Sequence, residues 1–488
     1  MDEQQLTRVL SSINVWWNGL EIPTSLKKAE TRRKIFFSLS KELMNEKDRD
    51  ILCLTGPRQV GKTTLMGQLI DFQIKEGKVD PKRIIYIVAD SSLIKLNTEN
   101  VLVDSLKVYF DYVLGESPES LSSMTYIYLD EVQSLEGWAL QLKSYEVYPN
   151  LKFIISGSSQ TKIKNDSSES LVGRIKFRLI LPFKFSEFLE YHYGNSIPKD
   201  INFCPVNLRE AFKKSIEEGN PSLLYKEATR MQIKLSKEIS KIKKLLNSYL
   251  IKGGYPGTLV YDEDYSKALE KIKTDLELTV YKDIYQMFKT RNSTDLMTLL
   301  TLVANSCGQK INYSKISSSI GIDRRVVMDY LHYTSLVYLT SESKIYKNSK
   351  YKQAEKQNKA YLIDVGHRNA LLGEMNEKIL SESNSGLLFQ TAVYDHAMKL
   401  RFNLTNHMEH EIFYWEDGTT EVDLILSLEN SIIPIEVKSK SGDKAIGTIK
   451  KFISQHEKSK WGIIITLDEL KIEKNVLLMP LWVFLILC

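Results

Sequence analysis

The chain of 488 residues is longer than one hydrophobic core usually supports, so the sequence predicts several domains. Apolar residues make up 43% of it and charged residues 26%, as is typical of globular proteins, and the formal net charge of +5 permits contact with nucleic acid without requiring it. The four cysteines are widely separated and form no C-x-x-C pair, which argues against a disulfide framework or a zinc site and favours a cytoplasmic location.

Patterns of apolar and polar residues divide the chain into five predicted segments. These are a helical lead-in (1–49), an α/β core (50–195), a helical lid or connector (196–292), a winged helix-turn-helix (293–359) and a second α/β region (360–488). The polar N-terminus predicts no secretory signal. The final apolar run, Val476–Cys488, contains Pro480 and is shorter than the about 20 residues of a membrane span. We interpret it as a buried strand and turn, and expect no membrane contact.

The α/β core alternates short apolar strands with helices, as a parallel sheet requires. The predicted strands are Ile51–Leu54, Arg83–Val88, Tyr126–Leu129 and Phe153–Ser156, and the predicted helices are Lys62–Ile74, Asn100–Leu114 and Leu135–Tyr148. The lead-in ends in an amphipathic segment, Arg32–Leu43, which we expect to pack on this core.

The phosphate-binding pattern G-x-x-x-x-G-K-[ST] lies between the first strand and the first helix of this core. Backbone N–H groups of such a loop surround a triphosphate at the positive end of the helix, and its glycines permit close approach. Lys62 is expected to reach the β- and γ-phosphates, and the Thr63 hydroxyl to ligate Mg²⁺. The predicted nucleotide-binding residues are Gly56, Pro57, Arg58, Gln59, Val60, Gly61, Lys62, Thr63, Thr64 and Ser158.

Two adjacent carboxylates end the strand Tyr126–Leu129. An enzyme that hydrolyses nucleoside triphosphates needs one acidic residue beside the metal and another group that orients the attacking water. We therefore predict Asp130 as the metal-side carboxylate and Glu131 as the catalytic residue for water. The alternative is that both carboxylates cap the following helix.

Further polar residues follow the next strand. Ser158 and Gln160 are expected close to the γ-phosphate, where either side chain would sense it; an ordinary polar loop is the alternative. Arg174, next to a glycine, is a candidate cation for stabilising phosphoryl-transfer charge, within its own chain or in a neighbouring subunit of a homo-oligomer. The alternative for Arg174 is a structural salt bridge.

Several motifs recur together in a fixed order. They are Gly56–Thr63, Leu129-Asp130-Glu131, Ser156-Gly157-Ser158-Ser159, Leu171–Arg174, Leu181-Pro182-Phe183, Phe185–Phe188 and Gly253–Pro256. In this order they resemble a prokaryotic family of AAA-type P-loop ATPases, abundant in archaea, that carries a C-terminal domain of unknown function. The resemblance implies ATP and Mg²⁺ as ligands and an AAA-like strand order, with an extra strand between the two nucleotide motifs.

The segment after the connector predicts three helices, Thr294–Asn305, Tyr313–Ile320 and Arg324–His332, followed by two short β-prone pieces, Leu336–Thr340 and Lys344–Tyr346. This is the order of a winged helix-turn-helix. Arg324 and Arg325 begin the third helix, where DNA contacts would be made, and Lys347, Lys350 and Lys352 follow the predicted wing. The alternative is a winged helix that serves only for packing.

A second group of charged residues lies near the C-terminus. Glu436 and Lys438 face the same side of a predicted strand, and Asp423 lies on a preceding one. The trio resembles the D…(D/E)-x-K core of restriction-endonuclease-like nucleases, which bind Mg²⁺ and activate water against a phosphodiester. Gln390 stands where related domains place a helical Glu, and Asp395 lies about one turn beyond it. The alternative is a nuclease-like domain used for binding, with the trio as a structural ion pair.

Three functional hypotheses follow from these patterns. The first is an ATP-hydrolysing AAA-type protein whose helical region, containing Gly253–Pro256, couples nucleotide state to a C-terminal DNA-binding module. The second is an ATP-regulated, metal-dependent DNA nuclease. The third is a nucleotide-switched binding module with slow turnover, acting in regulation or defence.

Overall fold

The structure, a computed structural model, describes residues 3–28, 31–95, 100–167, 171, 173–194, 206–290, 292–347, 356–381, 385–405, 412–438 and 442–488. Two predicted DNA-contacting residues of the wing loop, Lys350 and Lys352, lie outside the described residues, as does the side chain of Gln160. The chain forms two compact units, Met1–Leu181 and Pro182–Cys488. The predicted connector, winged helix and C-terminal region therefore share one unit.

The first unit contains helices and parallel strands in alternation. Its helices are α1 (Glu3–Ile13), α2 (Thr24–Lys27), α3 (Lys34–Leu43), α4 (Lys62–Lys75), α5 (Ser92–Lys95), α6 (Val101–Val108), α7 (Trp138–Glu146) and α8 (Gln160–Ser167). A π-helical stretch, Tyr109–Leu114, continues α6, and 3₁₀ turns occupy Val15–Asn18, Pro81–Arg83, Pro118–Ser120 and Val132–Ser134. Its strands are β1 (Ile51–Thr55), β2 (Ile84–Val88), β3 (Thr125–Asp130), β4 (Leu151–Gly157) and β5 (Ile175–Leu179).

Within the described residues, the strands of the first unit form a five-stranded parallel sheet in the order β2-β3-β4-β1-β5. Strands β1 to β4 are buried along nearly their whole length, as a sheet covered on both faces requires. Strand β4 lies between β1, which precedes the phosphate loop, and β3, which ends in Asp130. This confirms the predicted strand order.

The predicted packing of the segment Arg32–Leu43 is seen in Phe36, Leu39 and Leu43, which join the hydrophobic core of the first unit. An earlier part of the lead-in packs on the edge of the sheet, which the sequence did not predict. The indole N–H groups of Trp16 and Trp17 both donate to the carbonyl oxygen of Ile84 on edge strand β2, at 3.0 and 2.8 Å. Both indoles are buried, and burial of one such side chain stabilises the fold by about 2–3 kcal/mol. The lead-in therefore covers an edge that would otherwise expose unpaired backbone groups.

The second unit begins with helices. They are α9 (Phe185–Tyr193), α10 (Val206–Glu217), α11 (Ser222–Lys234), α12 (Ile239–Lys252), α13 (Pro256–Leu259), α14 (Tyr265–Glu277) and α15 (Tyr285–Phe288), with a π-helical stretch at Leu278–Ile284. The three helices of the predicted helix-turn-helix follow as α16 (Ser293–Asn305), α17 (Tyr313–Ile320) and α18 (Arg324–Leu336). The later helices are α19 (Val365–Leu372), α20 (Ser385–Thr405), α21 (Asp443–Gln455) and α22 (Leu481–Leu487), with a 3₁₀ turn at Glu377–Leu380.

The glycine pair after α12 joins three segments of the second unit. Gly253 has φ 75°, and the N–H of Gly254 donates to Asp364 Oδ2 at 2.9 Å. The N–H of Phe183 donates to the Gly254 carbonyl at 2.8 Å, and a Cβ at Gly254 would overlap the Phe183 carbonyl oxygen. Asp364 also caps α19 by accepting from the N–H of Gly366. This close packing explains why glycine occupies both positions.

Strands of the second unit form one mixed sheet. They are β6 (Thr340–Ile345), β7 (Lys359–Leu362), β8 (Ile412–Asp417), β9 (Thr420–Ser427), β10 (Ile432–Val437), β11 (Gly462–Thr466), β12 (Lys471–Glu473) and β13 (Val476–Pro480). Within the described residues their order is β12-β13-β11-β10-β9-β8-β6-β7. Ile446, Ile449 and Phe452 of α21 pack on one face, against Ile464 and Trp415.

Two local predictions for the second unit are wrong. The two β-prone pieces after α18 do not form two strands. Leu336 ends α18, residues 337–339 form a turn, and a single strand, β6, lies between β7 and β8 as an interior strand of the sheet. The final apolar run is buried and contains strand β13 as predicted, but helix α22 follows Pro480 where we expected a turn. A helix tolerates proline at its start because the first N–H groups have no partner within the helix. No helix in the described part of the chain is long and apolar enough to cross a membrane.

Candidate functional site

The phosphate loop follows β1 with backbone angles that only glycine adopts easily. Gly56 has φ 150°, and a Cβ at this position would overlap the carbonyl oxygen of Ile180. Gly61 has φ 97° and immediately precedes α4, whose first residue is Lys62. The loop therefore presents the N-terminal N–H groups of a 14-residue helix, which favour an anion.

Lys62 lies inside the loop rather than in solvent. Its side chain is 4% exposed, and its Nζ donates to the carbonyl oxygens of Gly56 and Pro57 at 2.9 and 3.0 Å. These bonds hold the ammonium where the loop would enclose a phosphate, and a triphosphate would offer stronger, charged acceptors.

The loop and the end of β3 are joined through a hydroxyl–carboxylate contact. Thr63 Oγ1 donates to Asp130 Oδ2 at 2.7 Å, and Tyr86 Oη donates to the same oxygen at 2.8 Å. Ser156 Oγ donates to Asp130 Oδ1. Burial, and then the charge of Glu131, raises the pKa of Asp130, while the three hydroxyl groups oppose this rise. Asp130 is thus a buried carboxylate surrounded by neutral donors.

Glu131 has a left-handed backbone, with φ 58° and ψ 48°. A residue with a side chain rarely adopts this conformation, and such strain is concentrated at functional sites. The Glu131 N–H donates to Ser156 Oγ at 3.0 Å, which fixes the turn. The amide of Gln133 donates to Glu131 Oε2 and, at 3.1 Å, to Ser158 Oγ. The predicted water-orienting carboxylate and the predicted phosphate sensor are therefore connected through one amide.

Arg174 does not join this group. The N–H of Ile51 donates to the Arg174 carbonyl at 2.8 Å, which places Arg174 at the amino ends of the parallel strands β1 and β5. The phosphate loop follows the carboxyl end of β1, about 17 Å away along five residues of strand at about 3.3 Å each. The Arg174 side chain is 51% exposed and pairs with Glu146. This geometry matches the salt-bridge alternative and separates Arg174 from the loop of its own chain.

The residues around the loop fit ATP with Mg²⁺. Thr63 and Asp130 supply the hard oxygen atoms that Mg²⁺ prefers. In the described part of the chain, no group of three or more His, Cys, Asp or Glu side chains is arranged to hold a metal ion. Protein sites for Mg²⁺ commonly use one or two carboxylates and complete the shell with substrate phosphates.

The C-terminal trio converges where the pairing between β9 and β10 stops. Lys438 Nζ lies 2.8 Å from Glu436 Oε1 and 3.7 Å from Asp423 Oδ2. Beyond the paired residues Ile435 and Leu424, the two carboxylates take the place of main-chain carbonyl groups as hydrogen-bond acceptors between β9 and β10. Glu436 Oε2 accepts from the Asp423 N–H at 3.1 Å, and Asp423 Oδ2 accepts from the Val437 N–H at 2.9 Å.

Lys438 offsets only one of the two carboxylate charges in the trio, so the carboxylates also act on each other. Glu436 is 4% exposed, and burial, together with the charge of Asp423, raises its pKa to about 7. Burial lowers the pKa of Lys438, but the charges of Asp423 and Glu436 outweigh it, so the net shift is upward. Gln390 on α20 donates its amide to Asp423 Oδ1 at 3.2 Å, where a Glu would place a third charge. Asp395 does not compensate, because it pairs with Lys399 at 2.6 Å.

Sequence reasoning missed three polar groups of the first site. Tyr86 was hidden in an apolar strand, yet a tyrosine at a buried strand position usually needs a partner for its hydroxyl, which was the available signal. Gln133 lies two residues beyond Glu131, and Ser156 lies within a polar run from which we selected Ser158. Their contacts depend on which strands are neighbours, and no local pattern encodes that.

Three sequence profiles match segments of this chain, and two curated proteins match most of its length. Residues 48–189 match the sequence profile of an AAA domain family, and residues 243–378 and 385–484 match two families described as domains of unknown function (DUF8612 and DUF4143). An uncharacterized protein of Methanocaldococcus jannaschii is 27% identical over 462 residues, which are 92% of this chain and 87% of that protein. An uncharacterized protein of Haemophilus influenzae is 22% identical over 341 residues, which are 68% and 72% of the two chains.

A Walker-type ATPase of Pyrococcus abyssi with a solved structure is 18% identical; the match covers 70% of this chain and 95% of that chain with a TM-score of 0.38. The AAA profile match, together with the parallel sheet and its strand order, confirms an AAA-type P-loop domain in this chain. The C-terminal profile match agrees with the predicted C-terminal domain of unknown function.

Proposed function

We propose that this protein binds and hydrolyses ATP at the phosphate loop. The single observation that supports this best is the hydrogen bond between Thr63 and Asp130, because it joins the loop to the carboxylate that an ATPase requires beside its metal. Thr63 and Asp130 would hold Mg²⁺, which would supply positive charge against the charge that develops in phosphoryl transfer. Lys62 would exchange its two carbonyl acceptors for phosphate oxygens, and Glu131 would orient the attacking water.

The experiment compares Lys62→Ala with Lys75→Ala, a lysine on the same helix that lies in its last turn and is half exposed. Loss of the charged contact at position 62 is expected to weaken ATP binding by about 10- to 100-fold and to remove turnover. Lys75→Ala should behave as the unmodified protein. Equal binding and turnover in all three proteins would contradict the ATPase assignment.

We further propose that ATP state is coupled to DNA through the helix-turn-helix. Arg324 and Arg325 are exposed at the start of α18, where Asp323 caps the helix by accepting from the Arg325 N–H at 2.7 Å. An exposed cationic helix start is the part of this motif that contacts DNA. Arg325→Ala should weaken DNA binding, and DNA should change kcat. A kcat that is slow and unaffected by DNA favours instead a nucleotide-switched binding module.

A metal-dependent DNA nuclease is the second candidate. It is supported by the convergence of Asp423, Glu436 and Lys438 within hydrogen-bonding or ion-pair distance. The test is cleavage of single- and double-stranded DNA with Mg²⁺ by the unmodified protein, Asp423→Asn and Asp443→Asn, the last an exposed aspartate at the start of α21. Cleavage that is lost only in Asp423→Asn supports the candidate; cleavage that survives there assigns it to another site.

A further inference from the structure

Tyr86 connects the edge strand of the first sheet to the candidate metal carboxylate. Its hydroxyl donates to Asp130 Oδ2 at 2.8 Å, the oxygen that also accepts from Thr63. The side chain is 4% exposed. Burial, and then the negative charges of Asp130, Glu131 and Asp90, raises the pKa of Tyr86 well above its ordinary value. The phenol therefore keeps its proton and acts as a donor.

The backbone of Tyr86 is held as firmly as its hydroxyl. Asn14 Oδ1 accepts from the Tyr86 N–H at 2.6 Å, and Asn14 Nδ2 donates to the Tyr86 carbonyl at 3.0 Å. The same Nδ2 donates to the Leu10 carbonyl at the end of α1, at 2.9 Å. Asn14 is fully buried and replaces a neighbouring strand at one residue of β2. Asn14 therefore holds the main chain of Tyr86 in place, so that the Tyr86 hydroxyl contacts Asp130 from a fixed position.

We propose that Tyr86 is a positioning residue for Mg²⁺ in the ATP site, acting through Asp130. This inference rests on the proposed function, in which Thr63 and Asp130 hold the ion. Two hydroxyl groups from different elements, α4 and β2, meet at one carboxylate oxygen, so the direction of that oxygen is fixed from both sides. Partners that orient a metal-side carboxylate commonly contribute about 10- to 100-fold to metal affinity.

The test uses Tyr86→Phe, which keeps the buried ring and removes only the hydroxyl. Its matched control is Tyr128→Phe on β3, a buried tyrosine whose hydroxyl donates to Gln73 Oε1 at 2.6 Å. The measurement is the affinity for a fluorescent, non-hydrolysable ATP analogue as a function of Mg²⁺ concentration and in excess EDTA. This readout is binding and does not depend on turnover.

In EDTA, we expect the three proteins to bind the analogue with equal affinity within about twofold. Mg²⁺ should increase the affinity for the analogue in all three proteins. The Mg²⁺ concentration that gives half of this increase should be about tenfold higher for Tyr86→Phe than for the unmodified protein, and unchanged for Tyr128→Phe. An unchanged Mg²⁺ requirement in Tyr86→Phe overturns the proposal, and so does an equal loss of affinity with and without Mg²⁺, which indicates a structural role. If the unmodified protein fails to bind the analogue, the proposed function itself fails, before any variant is compared.

Discussion

One carboxylate pair of this molecule lies at the end of β3 and the other where the pairing of β9 with β10 stops, and their hydrogen-bond donors differ in kind. Asp130 accepts from the hydroxyl groups of Thr63, Tyr86 and Ser156. Asp423 and Glu436 accept from main-chain N–H groups of the facing strand, and Glu436 also accepts from the Lys438 ammonium. A hydroxyl group can rotate and has lone pairs of its own, whereas a main-chain N–H is fixed by its strand.

The hydroxyl donors at Asp130 can rearrange when a cation binds, whereas the carboxylates of the second site are already bound by an ammonium group and by fixed main-chain donors. Thr63 can turn its hydrogen away and offer an oxygen to an incoming ion, so the first site changes little when the ion binds. A cation at the second site would compete with Lys438 and with two main-chain donors. The comparison therefore favours ATP chemistry at the first site over nuclease chemistry at the second, and the following predictions test it.

The largest expected effect concerns turnover at the first site. Glu131→Gln keeps the size of the side chain and its contact with Gln133 but removes the charge that we propose orients water. Loss of a general base commonly lowers the rate by about 10²- to 10⁴-fold. We expect ATP hydrolysis to fall by that amount while ATP binding is retained, as measured by phosphate release and by nucleotide titration.

The control for this variant is Glu136→Gln, an exposed glutamate five residues farther on. It should hydrolyse ATP at the unmodified rate. If Glu131→Gln also retains that rate, the strained backbone and the amide contact of Glu131 serve only the fold, and the contrast between the two carboxylate pairs loses its functional meaning.

A medium effect is expected on the pH dependence of the free energy of unfolding, to which Glu436 of the second site contributes. The pKa of Glu436 is raised from an ordinary 4.5 to about 7, so the folded protein binds more protons than the unfolded chain between these values. The free energy of unfolding should therefore decrease as the pH rises from about 4.5 to about 7, and the Glu436 contribution should then be constant. Glu436→Gln should remove this slope, which is on the order of 1–3 kcal/mol across the interval.

Urea unfolding at a series of pH values measures this slope. Glu429→Gln, an exposed glutamate in the turn between β9 and β10, is the matched control and should retain it. A slope that is the same in Glu436→Gln would mean that the pKa of Glu436 does not differ between the folded and the unfolded protein, because Lys438 and the main-chain donors offset the effect of burial. In that case the second site would resemble a stable ion pair more closely than a strained, protonatable one.

Much of the first unit was predictable from sequence because its signals are local. The pattern Gly56–Thr63, the apolar strands and the pair Asp130-Glu131 each occupy a short stretch, and the strand order followed from the family resemblance. Tyr86 and Ser156 were not predictable in this way, because they reach Asp130 from strands that precede and follow it by 44 and 26 residues. Only the neighbour order of β2, β3 and β4 brings them together.

The second unit was harder to predict because its strands are paired across predicted segment borders. Strand β6 follows the predicted helix-turn-helix in sequence but pairs with β8 of the C-terminal region, so a prediction that assumed an unpaired wing did not apply. The trio itself was predicted correctly as a neighbouring group. Its main-chain partners were not, since the replacement of ladder bonds by carboxylates depends on how β9 and β10 diverge after Leu424 and Ile435.

The smallest expected effect concerns Arg174, where motif and geometry disagree. An arginine near a glycine in the expected motif order suggested phosphoryl-transfer chemistry, but the register of β1 and β5 places it at the opposite end of the sheet from the phosphate loop. Its half-exposed pair with Glu146 should contribute less than about 1 kcal/mol to stability.

We therefore expect Arg174→Ala to change ATP turnover by less than about twofold, at several protein concentrations, with a small decrease in Tm. Arg178→Ala, which removes an ion pair between β5 and Glu42 of α3, controls for the loss of a cation. A large loss of turnover in Arg174→Ala alone, together with a rate per chain that rises with protein concentration, would show that Arg174 completes the site of a second copy. Such a result would extend the first site beyond a single chain and would leave the second site, whose trio is complete within one chain, as the self-contained one.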